Sequence, residues 1–343
     1  MVLFITIWFL LFSLSFSRLK NNTLLMQFWL ILFAFLIGFR GEDVGVDTRG
    51  YIQIYEWIHE YGYNGYPEPL YGYINSFFAQ MGMSFGISQF IMFLIAFEIY
   101  ALIIRRLSLN KIFSVFMLYS MYFVFYSMNV SRQMLATSIL LLAYYYFFHK
   151  RRIGTSIICV TAAAMIHISS IVSLGYLFIN KINLEKKGLI ILLLTISFAL
   201  GAFFLNDNIL SVFAGPYSRY IESNFGIRPE IRYLQSFILS LFWSILCFII
   251  TVTSNFKLRN TPYYKLYILS ILASNLMMNL ELGLRVVFCF SVIQIVFFPM
   301  YIENNILPKR NMAQLIISIF YGIFFFIFLC NNSAGILPYN ISF

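Results

Sequence analysis

Five short stretches of the sequence carry residue types able to do chemistry. In the first, Arg40 is followed by Val44, Gly45, Val46, Asp47, Thr48 and Tyr51, with Tyr55 one turn further on. A helix capped at Asp47 or Thr48 places Asp47, Tyr51 and Tyr55 at i, i+4 and i+8 on one face. A carboxylate with two phenols suits sugar hydroxyls and rings; the same face suits an interfacial helix with an aromatic belt. In the second, Asn129-Val-Ser-Arg132-Gln133, a lone guanidinium stands between two apolar runs, able to hold a phosphate or to anchor the interface. In the third, Ala164-Met-Ile-His167-Ile-Ser-Ser170, an imidazole sits in an apolar stretch. An ionisable group there is costly and is a functional candidate by default, although a neutral histidine bonded to a backbone carbonyl is also a stable arrangement. The fourth, Gly283-Leu-Arg285, opens another apolar run. The fifth, Gly215-Pro-Tyr217-Ser-Arg219-Tyr220, joins aromatics and a cation suited to sugar stacking, or to packing on a surface.

The elements that must position these groups are membrane helices. Apolar residues make up 61% of the 343 and charged residues only 10%, where a soluble protein carries about 25% charge. With a mean hydropathy of +0.83, the chain reads as one polytopic membrane domain over residues 1–343, all-α. About twelve spans are expected: 1–17, 24–39, 86–104, 112–128, 133–148, 153–166, 168–180, 188–205, 233–253, 266–280, 285–302 and 312–330. Outer loops are expected at 40–85 and 206–232, the first holding an interfacial helix. The run 1–17 lacks a basic leader and a small-residue cleavage site and is expected to be a retained span. Cys159, Cys247, Cys289 and Cys330 lie singly in apolar runs, which argues against a disulfide framework or a zinc site.

The net charge of +10 is a topology signal and not a nucleic-acid footprint. Basic residues cluster in alternate breaks: Arg18 and Lys20; Arg105, Arg106 and Lys111; Lys150 to Arg152; Lys181, Lys186 and Lys187; Lys257, Arg259 and Lys265; Lys309 and Arg310. The positive-inside rule assigns these to the cytoplasm. Arg40, Arg49, Arg132, Arg219, Arg228, Arg232 and Arg285 then lie outside, and every lysine lies inside. Arginine keeps its charge when desolvated and grips phosphate bidentately, so this outer face suits a lipid-linked phosphate or pyrophosphate. Arg49, Arg228 and Arg232 are expected instead to pair with nearby acids or to reach head groups. Keeping Lys181 to Lys187 inside requires 153–180 to be a hairpin of two short helices with His167 near its outer turn. Fourteen helical residues rise roughly 21 Å, less than the hydrocarbon thickness, so His167 is expected to sit inside the protein. No GxSxG, HExxH, Walker A or strand-to-helix GxGxxG is present, which leaves nucleotide chemistry without machinery.

These stretches resemble the EpsG-type family of exopolysaccharide polymerases, relatives of the O-antigen polymerase Wzy. Arg40 with Val44-Gly-Val-Asp47-Thr-Arg-Gly-Tyr51 is similar to that family's R…VGxDxxxY signature. Glu68-Pro69 with Tyr71 and Asn75, Asn129-Val-Ser-Arg132-Gln133-Met-Leu-Ala136, His167-Ile-Ser169, Arg285 with Pro299, and Pro338-Tyr339 follow in the family's order. The resemblance implies a GT-C-like helical bundle in a bacterial inner membrane, active on its outer face. There it would join oligosaccharide repeat units, carried on undecaprenyl pyrophosphate, into O-antigen, capsule or exopolysaccharide. It implies no metal or soluble cofactor, no nucleic acid, membrane lipid as surroundings and room for a chain-length regulator as partner. In such a reaction Arg132, Arg285 and Arg40 would neutralise the departing pyrophosphate, an electrostatic contribution on the order of 3 kcal/mol. His167 or Asp47 would take the acceptor proton, His167 being preferred because imidazole titrates near neutral pH. Tyr51, Tyr55, Tyr217 and Arg219 would hold sugars. The competing readings are a flippase for lipid-linked oligosaccharides, which should line a polar path through the bilayer, and a membrane O-acyltransferase, which also uses an intramembrane histidine.

Overall fold

A computed structural model describes residues 1–63, 67–203, 229–280, 283–304 and 310–342. Among these residues the regular elements are helices, with one isolated antiparallel bridge between Arg40 and Ile341. In chain order they are α1 (Val2–Phe16), α2 (Thr23–Gly38), α3 (Thr48–Tyr61), α4 (Pro69–Gln80), α5 (Phe85–Leu107), α6 (Lys111–Ser120), α7 (Phe123–Asn129), α8 (Ser131–Phe148) and α9 (Ile153–Ile166). There follow α10 (Lys187–Phe203), α11 (Pro229–Thr253), α12 (Phe256–Arg259), α13 (Pro262–Leu276), α14 (Gly283–Ser291), α15 (Gln294–Asn304) and α16 (Arg310–Cys330). Two 3₁₀ helices, Arg18–Asn21 and Ile168–Lys181, complete the set.

Each apolar run expected from the sequence overlaps a helix, and the polar residues in the breaks do the capping. Asn22, Ser84, Asn110 and Thr261 accept from the backbone N–H three residues on, at 3.0, 3.4, 2.9 and 3.2 Å. Three helices are long and apolar enough to cross a membrane, Phe85–Leu107, Leu234–Thr253 and Arg310–Cys330, or up to five if each of two bent pairs is one span. One such pair is α6 and α7, bent by 44° at Met121 and Tyr122, where Tyr122 takes a left-handed backbone at φ 66°. Val2–Phe16, Thr23–Gly38, Ile153–Ile166 and Lys187–Phe203 are apolar but shorter. The chain is a helical membrane protein.

Two compact units divide the chain: Met1–Ile171 with Gln294–Phe343, and Val172–Ile293. In the first, α2 packs on α5, α1 on α6, α5 on α8 and α8 on α9, while α3 lies on α4 and α4 on α9. The breaks of this unit gather at two ends. At one, Asn110 Nδ2 and Gln314 Nε2 both donate to the carbonyl of Ser15, at 3.0 and 3.2 Å, and Lys111 Nζ donates to Thr23 Oγ1 at 2.7 Å. That end carries Arg18, Lys20, Arg105, Arg106, Lys111 and Arg310. Arg40, Arg49 and Arg132 stand at the other, so alternation of charge along the chain separates the two ends. In the second unit α13 packs on α10, α11 and α14, joined by a chain of amides and hydroxyls. Asn275 Nδ2 donates to Ser197 Oγ at 3.1 Å, and Asn275 Oδ1 accepts from Ser244 Oγ at 3.0 Å.

The sequence predicts a second short α-helix at 168–180; the structure forms a 3₁₀ helix there. The reason lies in the spacing of its buried residues, Ser170, Ser173, Tyr176 and Ile179, which recur every third position. Three residues per turn stack these on one face. At about 2.0 Å per residue, fourteen residues then reach about 28 Å instead of the 21 Å expected of an α-helix.

At the end of the first unit that holds Arg40, the loop 39–47 is held by the segment 334–342. Gly41 N donates to Asn340 O (3.1 Å), Gly45 N to Gly335 O (2.8 Å), Val46 N to Ala334 O (3.4 Å) and Ser342 N to Phe39 O (2.9 Å). Tyr339 Oη donates to Leu36 O at 2.9 Å. Gly45 sits at φ +92°, and a Cβ there would meet Thr48 Oγ1 at 2.9 Å and the Met128 carbonyl more closely still. Gly45→Ala should therefore lower stability by about 1–3 kcal/mol, seen as a lower melting temperature of the full chain in detergent. Gly50→Ala, whose Cβ meets nothing within 4 Å inside α3, should be neutral or slightly stabilising.

Candidate active site

The sequence builds the site from three helix termini. Pro69 starts α4 at its first position, where no backbone N–H is needed. Glu68 therefore occupies the capping position, but it makes no side-chain cap bond, and its carboxylate reaches across to other helices. Ser131 and Arg132 open α8 directly after the break at Val130. Helix α9 ends at Ile166, and His167 leaves it in an extended conformation, its N–H still bonded to Ala163 O at 2.8 Å.

These termini converge on Glu68. Its Oε1 lies 2.6 Å from His167 Nδ1, and its Oε2 accepts from Arg132 Nη1. The side chains of Glu68 and His167 are 8% and 9% exposed, whereas Arg132 is 29% exposed. Arg132 is thus the member that faces solvent most. Its guanidinium lies over two phenol rings, 5.5 Å from the centroid of Tyr51 and 5.9 Å from that of Tyr71. With Nδ1 facing a carboxylate, His167 is held as the Nδ1–H tautomer, and its Nε2 is buried without a hydrogen-bond partner. Burial raises the affinity of the Glu68 carboxyl for its proton, but the hydrogen bond from His167 and the charge of Arg132 outweigh it and hold Glu68 below the usual carboxylate range. Burial likewise pushes the Tyr51 phenol up, with Arg132 opposing and Asp47 reinforcing that shift.

Helix α3 presents Thr48, Tyr51, Tyr55 and Ile58 to the protein. Tyr51 and Tyr55 share a face as expected, but Asp47 is exposed at the capping position, its backbone N–H bonded to Asn129 Oδ1 at 3.0 Å. Asn129 therefore ties α3 to the same loop whose Arg132 meets Glu68. Tyr55 Oη donates to Met83 O at 2.8 Å, which fixes α3 to the turn before α5. Next to it lies a shallow cleft of about 700 Å³ lined by Ile52, Tyr55, Glu56, His59, Met83 and Phe85.

Arg40, expected among the pyrophosphate ligands, is 5% exposed. Its Nε donates to Thr48 Oγ1 at 3.1 Å and its Nη1 to Ile37 O at 2.5 Å, with Phe85 beneath the guanidinium at 5.9 Å. Burial pulls it down to about 10, so it remains a cation at neutral pH. This geometry makes Arg40 a fastener between the end of α2 and the start of α3. Arg285 lies half-buried in the first turn of α14, in the second unit, while Arg132 and His167 belong to the first. Arg49 pairs with Asp43 on the surface, as expected of it. Tyr217 and Arg219, expected to hold sugar, lie outside the described residues. Sequence reasoning did not single out Glu68 as a site residue. Its signal was an acid immediately before the proline that starts a helix, where an acid usually serves as a cap.

The EpsG family model matches residues 23–341, nearly the whole chain. No curated protein and no solved structure matches it. The chain belongs to the EpsG family, which associates it with exopolysaccharide formation.

A carboxyl held below its ordinary value of 4.5 adds stability that is complete above that pH and is lost as pH falls through the lower, folded value. The melting temperature of the wild type should therefore exceed that of Glu68→Gln at neutral pH, and the gap should close as pH falls below 4.5 through the lower, folded value. A gap that stays constant over that range would show that Glu68 is not ionised in the folded protein.

Proposed function

We propose that this EpsG-family protein is a metal-independent membrane glycosyltransferase that polymerises oligosaccharide repeat units carried on undecaprenyl pyrophosphate. The fold is then a GT-C-like bundle of about twelve spans in a bacterial inner membrane, with the Arg132 end facing outward. The observation that carries this reading is the meeting of Arg132 and His167 on one carboxylate, at the end of the first unit opposite Lys20 and Lys111. A partly exposed guanidinium on two aromatic rings suits a lipid-borne diphosphate, and a histidine with a free, buried Nε2 suits a hydroxyl that must lose its proton.

In this reading the growing chain is the donor. Arg132 takes up charge as the bond to pyrophosphate lengthens, a contribution on the order of 3 kcal/mol, and Arg285 assists from α14. His167 accepts the proton from the attacking hydroxyl of the next unit. Tyr51 supports the guanidinium, and Asp47, exposed at the start of α3, is placed to orient sugar hydroxyls. Tyr217 and Arg219 complete the sugar contacts. A lipid-linked sugar transporter is the second reading, and Glu98 favours it. This acid lies inside α5, where both of its oxygens accept from Gln27 Nε2, at 3.0 and 3.1 Å.

Arg132→Lys and Arg285→Lys, expressed at wild-type level, should abolish polymer and leave single repeat units on lipid at the outer leaflet. Analysis of lipid-linked glycans from those strains checks this. Units stranded on the inner leaflet would favour transport, and normal chain length in both strains would remove the two arginines from the reaction.

A further inference from the structure

Glu68 has two oxygens and two partners of different kinds. Oε1 meets the imidazole at 2.6 Å and Oε2 meets the guanidinium. The first partner is closed to solvent and the second is partly open. An anion entering from outside therefore encounters Arg132 before anything else in the cluster, and it finds that cation already engaged by a carboxylate. Two anions cannot share one guanidinium in a partly buried site without repulsion. The newcomer must draw Arg132 away from Oε2, while Oε1 has no reason to leave His167.

We propose, on the basis of the polymerase reading above, that Glu68 is a positioning residue that couples the two substrates. It holds Arg132 in the empty site, yields it to the diphosphate of the donor, and keeps His167 oriented as the proton acceptor for the second substrate. When the diphosphate takes Arg132, the negative charge of Glu68 is left to His167 alone, just when that ring must accept a proton. The acceptor hydroxyl oxygen then forms its bond to the anomeric carbon of the donor. The bond from that carbon to the diphosphate breaks, and its electron pair leaves with the diphosphate oxygen. The hydroxyl proton passes to His167 Nε2, and the resulting imidazolium is stabilised through its Nδ1–H on Glu68. The proton is later released to water, restoring the starting tautomer. The phenol rings of Tyr51 and Tyr71 keep the guanidinium from straying while it changes partners.

The test compares the wild type with Glu68→Gln, Glu68→Asp and Arg132→Gln, all as the full chain. Gln keeps the shape and an oxygen for His167 Nδ1–H but removes the charge that competes for Arg132. In the purified chain, inorganic pyrophosphate should bind Glu68→Gln roughly tenfold more tightly than the wild type, and should not bind Arg132→Gln. The ¹⁵N spectrum should show the Nδ1–H tautomer of His167, identified by its absence from His167→Gln, both before and after pyrophosphate is added to the wild type. Membranes given lipid-linked units extracted from a strain lacking this chain should polymerise them about a hundredfold more slowly with Glu68→Gln. Glu68→Asp should recover part of that loss. A purely structural role for Glu68 would lower the yield of folded protein and weaken pyrophosphate binding together. Equal pyrophosphate binding by wild type and Glu68→Gln, with normal polymerisation by the latter, overturns the coupling while leaving the polymerase intact. Wild-type membranes that transfer nothing between lipid-linked units overturn the polymerase itself. In that case the pyrophosphate measurement still decides whether Glu68 competes for Arg132.

Discussion

The candidate site is organised by the cost of burying one carboxylate. Glu68 is almost enclosed, and an isolated anion in such surroundings would take up a proton and not remain charged. It remains a carboxylate because a guanidinium and an imidazole are brought to it by two other helices, and breaking one side of such a cluster leaves an uncompensated buried group. The requirement acts outward. Helix α4 must start at Pro69, α8 must open immediately after Val130, and α9 must stop at Ile166 if three termini are to meet at one point. The ties around them serve the same end. Asn129 holds α3 by its backbone, Tyr55 holds α3 to the turn before α5, and Arg40 fastens α2 to α3 through Thr48.

The helical architecture was legible in the sequence because apolar runs and capping residues are local signals. Asn22, Ser84, Asn110 and Thr261 mark helix starts without any knowledge of the tertiary structure. The sorting of breaks in the first unit was legible as well, since basic residues cluster in alternate breaks along the chain. The cluster was legible only in part. Arg132 and His167 stood out as ionisable residues against apolar runs, where a charge needs a reason. Glu68 lay in a polar loop with other acids, and the proline that follows it marks a helix start, where an acid reads as a cap and not as a site residue. Its partners lie 64 and 99 positions away, beyond the reach of any periodicity. Arg40 went the opposite way: its family motif and loop position suggested a ligand, but burial against Thr48 and Ile37 gives it a mainly structural set of contacts. The 3₁₀ segment carried a readable clue in the three-residue spacing of Ser170, Ser173, Tyr176 and Ile179, which a search for α-helical spans passes over.

The two kinds of polar chemistry in the chain have different purposes. In the second unit, Asn275 and Ser197 form a satisfied amide and hydroxyl network between helices, the kind of link that holds apolar segments together where water is absent. In the first unit the cluster around Glu68 is charged, lies at helix ends, and leaves His167 Nε2 without a partner.

The segment 334–342 closes over the loop 39–47, with Tyr339 reaching Leu36 across 303 positions of chain. During synthesis at roughly 5–20 residues per second, that loop waits on the order of half a minute before its backbone groups find their partners. Assembly of this corner is therefore deferred until the helices between the two segments have been delivered to the bilayer. A nascent chain interrupted before that point would carry Arg132 and His167 yet lack the brace that seats the neighbouring loop.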